Sequence, residues 1–130
     1  METRIVKDQI TKDELKSLAH EQYGDIIKAV VDKEKWRTLS LAEQLGNIGS
    51  EVGRAAKWQG KDDNSFWGAV TRAVELFDLT QSDKRWYKRR SEINRAKESF
   101  ADAVLGGTEY QTNLQDLEKY FMQFAMVAIR

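Results

Sequence analysis

The 130-residue sequence contains no cysteine, no proline and a single histidine. Without cysteine there is no disulfide framework, no thiolate zinc site and no cysteine nucleophile. Without proline, glycine and short polar clusters must end the helices. Neither sign of charge is in excess: 21 basic side chains face 21 acidic ones, for a formal net charge of zero. No apolar run approaches the roughly 18 residues that a membrane-spanning helix needs. Hydrophobic residues make up 41% and charged residues 32%, which excludes a disordered chain and fits a globular one. The length suits one domain over residues 1–130 and a core that needs no staples. Met1-Glu2-Thr3-Arg4 lacks the basic-then-apolar layout of a signal peptide. A cytoplasmic protein without a cofactor is expected.

The apolar spacing is helical almost throughout. A short extended stretch, Arg4–Ile10, reads as a strand. Thr11-Lys12-Asp13-Glu14 is a capping box, followed by Leu15, Leu18, Ala19, Tyr23, Ile26, Ile27 and Val30 at three- and four-residue intervals. Gly24-Asp25 kinks or splits that helix. A turn is expected near Trp36. Ser40-Leu41-Ala42-Glu43 is a second capping box, and its helix carries Leu41, Leu45, Ile48, Val52 and Ala55 on one stripe. A parallel stripe holds Ala42, Gly46, Gly49, Gly53 and Ala56. Glycine inside a helix costs about 1 kcal/mol relative to alanine, so three together imply close approach of another helix or a ligand. Asn64 or Ser65 is expected to cap a third helix bearing Phe66, Trp67, Val70, Ala73, Val74 and Phe77. The Thr80-Gln81-Ser82-Asp83 cluster closes it and caps a fourth, with Trp86, Ile93, Ala96, Phe100 and Val104, which Gly106-Gly107 ends. Thr112 or Asn113 starts a fifth, with Leu114, Leu117, Phe121, Phe124, Ala125 and Ala128 inward. Short loops favour antiparallel neighbours. The fold class is therefore all-α: an antiparallel bundle of four main helices plus an N-terminal helix.

Catalytic motifs are incomplete. His20 has no partner at metal-ligand spacing, no Gly-x-Ser-x-Gly elbow occurs, and Gly46, Gly49 and Gly53 lie within a helix and do not form a phosphate loop. The fourth helix is locally basic: Lys84, Arg85, Lys88, Arg89, Arg90, Arg95 and Lys97 face only Glu92 over residues 84–97, with Trp86 and Tyr87 interleaved. Such a segment suits phosphates and stacked bases, and cations at a helix N-terminus oppose the macrodipole unless an anion is near. The alternative is a solvated face paired with acids on neighbouring helices. Trp36, Trp58, Trp67 and Trp86 all lie near helix ends, where large aromatics plug a bundle.

Three resemblances attach to these residues. Ala42-Glu43-Gln44-Leu45-Gly46-Asn47 looks like the opening of a MazG-type metal helix, and Glu75-Leu76-Phe77-Asp78 has that family's Glu-x-x-Asp spacing. The resemblance implies an all-α, magnesium-dependent nucleotide pyrophosphohydrolase using Glu43, Glu51, Glu75 and Asp78. The matching Glu-x-x-Glu pair is absent, because Gly46 follows Glu43 and Arg54 follows Glu51. The layout of the last four helices is similar to the HEPN bundles of prokaryotic defence modules. Their Arg-x4-6-His motif is missing here, which implies a non-catalytic member. Segments 10–32 and 39–52, with 73–80, also resemble small prokaryotic helical proteins that bring no function with them.

Three functions follow as expectations. The first is a non-enzymatic interaction module, a homodimer joined through Gly46, Gly49 and Gly53 or through the N-terminal strand. The second is a nucleic-acid-binding bundle working through its basic helix. The third is a degenerate metal-dependent hydrolase.

Overall fold

A computed structural model describes residues 33–128 of the protein. Among them are five α-helices: α1 (Lys33–Trp36), α2 (Leu41–Trp58), α3 (Asp63–Gln81), α4 (Arg90–Val104) and α5 (Leu114–Ala128). A 3-10 helix, Lys84–Arg89, precedes α4, and the described residues contain no strand. The class is all-α, as the spacing predicts. The expected strand at Arg4–Ile10, the helix opened by Thr11 and the lone His20 lie outside the described residues.

Helix α2 starts where its capping box dictates. The Ser40 hydroxyl accepts from the Glu43 amide at 3.1 Å, and the Glu43 carboxylate accepts from the Ser40 amide at 2.7 Å. The helix then presents two working faces. Leu45, Ile48, Val52 and Ala55 are buried in the core, while the glycine row meets α5. Gly60, with φ +75°, reverses the chain, and the amides of Lys61 and Asp62 both close onto the Trp58 carbonyl. So short a turn moves the start of α3 ahead of the expected Asn64 or Ser65. Asp62 is the cap residue, with extended backbone, and its carboxylate accepts the Ser65 hydroxyl at 2.7 Å.

Helix α3 is the central element, burying Phe66, Ala69, Val70, Ala73, Val74, Leu76 and Phe77. The Phe77 ring lies 5.8 Å from Phe100 of α4 and 5.9 Å from Phe121 of α5. Three helices thus meet through one aromatic cluster, which adds edge-on attraction to the burial itself.

The expected single fourth helix is two elements. Trp86 has φ −106° and ψ 22°, and the backbone runs in 3-10 turns through Arg89 before α4 begins. One cause is local and one is tertiary: Asp83 accepts the Arg85 amide at 3.0 Å, while the Trp86 indole is drawn inward onto the distant Gln44. Helix α4 ends at a double-glycine turn (φ +113° and +71°). A Cβ on Gly107 would stand 2.6 Å from the Thr112 carbonyl oxygen. The buried Asp102 carboxylate accepts the amides of Glu109 and Tyr110, which folds this loop back towards α5. Asn113 caps α5 through the Asp116 amide at 2.8 Å.

Candidate functional site

The glycine row is a seam within the chain. An ideal Cβ on Gly46 would lie 3.1 Å from Ala125 Cα, one on Gly49 2.5 Å from Phe121 Cβ, and one on Gly53 2.6 Å from Glu118 Oε2. Position numbers fall on α5 as they rise on α2, so the two helices are antiparallel and in near contact along the whole stripe. The expectation of close helix approach is met, but by α5 of the same chain. Of the two expected uses of Gly46, Gly49 and Gly53, helix packing or a homodimer interface, the packing is seen: the stripe seats α5.

Beside the seam opens a shallow cleft of about 110 Å³, lined by Gly46, Gly49, Ser50, Phe121, Met122 and Ala125, with Glu118 at its end. The outer surface of α5 changes character along its length. Its first half shows Gln115, Asp116 and Lys119 to solvent, with Tyr120 partly exposed beside them. Its second half shows Met122, Met126 and Val127, exposed by 52%, 57% and 49%, with only Gln123 polar among them. The inward stripe expected for this helix holds for Leu114, Leu117 and Phe121, which are buried, and for the half-buried Phe124, Ala125 and Ala128.

A buried polar hub ties the opposite side of α2 to the basic segment. Gln44 is fully buried. Its amide nitrogen donates to the Trp36 carbonyl at 2.9 Å and to Asp83 at 3.3 Å, and its oxygen accepts the Trp86 indole at 2.9 Å. The Trp36 indole donates to the Thr80 hydroxyl at 3.2 Å. Arg85 clasps Asp83 through Nε and Nη2, donates to the Leu39 carbonyl at 2.9 Å and lies 4.4 Å over the Trp86 ring. Two of the four tryptophans thus close one end of the bundle with their indole N–H groups satisfied. Trp58 and Trp67 sit half-buried at the other end.

No family model, curated protein or solved structure matches this chain.

The hub also bears on the basic run. Arg85 is the counter-charge of Asp83, which resolves its unfavourable position at a helix start. Arg89 pairs with Glu92 at 2.7 Å, both about half exposed. Such a surface pair contributes little. Lys97 donates to Gln81 at 3.2 Å. Lys84 and Lys88 on the 3-10 helix and Arg90 and Arg95 on α4 are exposed.

The four carboxylates of the metal reading do not converge. Glu43 completes the cap of α2. Glu51 is buried and pairs with Arg54 at 2.7 Å, with Arg72 of α3 at 4.0 Å. Glu75 and Asp78 are half-buried on α3, and Glu75 Oε1 has no hydrogen-bond partner. Among the described residues no group of three or more His, Asp or Glu side chains is placed to hold a metal ion. No described helix is long and apolar enough to cross a membrane.

Asp83 gives the hub a pH signature. The Arg85 side chain, above all, holds its carboxyl down to about 2, helped by the Arg85 amide and Gln44 against the opposing effect of burial. A carboxyl depressed on folding stabilises the native state above its unfolded value near 4, and that stability is lost as pH falls towards 2. Thermal denaturation between pH 5 and 2 should therefore cost the wild type more than Asp83→Asn. A constant difference between the two across that window would mean that the Asp83–Arg85 contact does not form in solution.

Proposed function

We propose that the chain is a non-enzymatic interaction module that pairs with a second copy of itself through the outer face of the last two turns of α5. The observation that carries this reading is the exposure of Met122, Met126 and Val127 side by side, next to a cleft floored by glycine. Flexible methionine side chains adapt to a partner surface, and the cleft has room for a side chain from the facing copy. A two-fold axis through the patch makes it self-complementary, as an isologous contact requires. Zero net charge leaves no long-range repulsion between copies. The non-enzymatic part of the reading is supported by where the carboxylates go: Glu43 into a helix cap, Glu51 into an ion pair, and Glu75 with Asp78 onto one turn of α3 with no third ligand residue beside them among the described residues.

Sedimentation of the full chain tests it. The wild type should pass from 15.0 kDa to twice that mass as its concentration rises through the micromolar range. Met126→Glu should remain at the single-chain mass, because pairing would bury an unpartnered charge, and Met126→Leu should behave as wild type. A wild type that keeps the single-chain mass at high micromolar concentration sinks the proposal. A Met126→Glu variant that still dimerises moves the contact elsewhere.

A further inference from the structure

Tyr87 is the most exposed large hydrophobic side chain of the described residues, at 68%. It owes this to its neighbour. Trp86 is bonded inward to Gln44, and its non-helical backbone turns the following residues away from the core. The Arg90 guanidinium lies over the Tyr87 ring, 5.3 Å from its centroid, and the side chain is still 68% exposed. Lys84 and Lys88 lie within three residues of Tyr87 and are also exposed. Arg85 and Arg89 are held by Asp83 and Glu92, so the charge that this segment presents outward comes from Lys84, Lys88 and Arg90.

We infer that the 3-10 helix and the first turn of α4 form a binding site for single-stranded nucleic acid. An unpaired base stacks on Tyr87 with Arg90 beside it, and neighbouring phosphates pair with Lys84, Lys88 and Arg90. Stacking on an aromatic face works for every base, and flanking cations track the backbone. A duplex hides its base faces and offers Tyr87 nothing to stack on. Self-association through α5 uses other residues, so the two proposals stand or fall separately.

Fluorescence anisotropy with labelled oligouridylate, oligothymidylate and a duplex of the same length tests the site. Either single strand should bind, since stacking and phosphate contacts are common to RNA and DNA. With three phosphates neutralised, affinity should fall roughly 20-fold between about 50 and about 200 mM salt. Tyr87→Ala should weaken binding roughly 10-fold and Tyr87→Phe should restore it. Lys88→Glu combined with Arg90→Glu should abolish it, with circular dichroism showing an unchanged fold. The inference is overturned if neither single strand binds at low salt, if the duplex binds as tightly as the single strands, or if Tyr87→Ala binds like the wild type.

Discussion

Gly49→Leu should detach α5 from the bundle and destabilise the protein by about 3 kcal/mol or more. The missing Cβ of Gly49 falls 2.5 Å from Phe121 Cβ, an atom fixed to the α5 backbone that no rotamer change can move. A side chain there must therefore push the helices apart. Overpacking alone costs about 1–3 kcal/mol. Opening the seam also exposes Phe121, a fully buried ring, whose loss from a core is worth about 3–5 kcal/mol. Gly49→Ala should show a smaller loss, partly offset by the helix propensity that alanine gains, about 1 kcal/mol. Gly53→Ala should be neutral or stabilising, because the atom it meets, Glu118 Oε2, is the far end of a flexible side chain. Chemical denaturation of the three variants gives the order directly. Equal effects at Gly49 and Gly53 would mean that the stripe does not face α5 in this register.

Gln44→Leu should cost about 3 kcal/mol, although leucine has nearly the same size and suits the core better. The substitution leaves the Trp86 indole N–H without its acceptor at 2.9 Å and takes a donor from the buried Asp83, while the Trp36 carbonyl keeps only the Leu39 amide. Each buried polar group left unsatisfied costs about 1–3 kcal/mol. Trp86→Phe removes only the donor and should cost less. The double variant should then cost less than the sum, since the two residues share one hydrogen bond and are coupled. Near-additive effects in this cycle would show that the hub is not a connected network.

Much of the fold was legible because its signals are local. The Ser40–Glu43 box, the alternating three and four spacing of Leu45, Ile48, Val52 and Ala55, and the paired Gly106-Gly107 each act within a few residues, and each forms as read. The glycine stripe announced a close helix but could not name it, because the spacing of α2 says nothing about which helix fills the gap. The split of the fourth helix was hidden for a different reason. It depends on Gln44, distant in sequence, drawing in the Trp86 indole, and tertiary pull of this kind overrides local helix propensity. One clue was present. Gln44 and Glu51 lie in step with Ile48 and Ala55 on a core-facing stripe, and a polar residue at a core position asks for a buried partner. The basic run misled because composition counts charges without showing that Asp83 and Glu92 already engage Arg85 and Arg89. The apolar outer face of α5 was missed because Met122, Met126 and Val127 adjoin the inward residues Phe121, Phe124, Ala125 and Ala128 in a nearly continuous apolar run. They become conspicuous only once Phe121 and Ala125 are seen to face α2.

The lack of native cysteine allows the self-association surface to be probed at a single point. In Met126→Cys the one thiol reports on the outer face of α5 alone, and Asn64→Cys, at the exposed start of α3, serves as the reference. The rate of maleimide labelling should fall several-fold at position 126 as protein concentration rises from low to high micromolar, while the rate at position 64 stays constant. A position-126 rate independent of concentration would contradict pairing through α5.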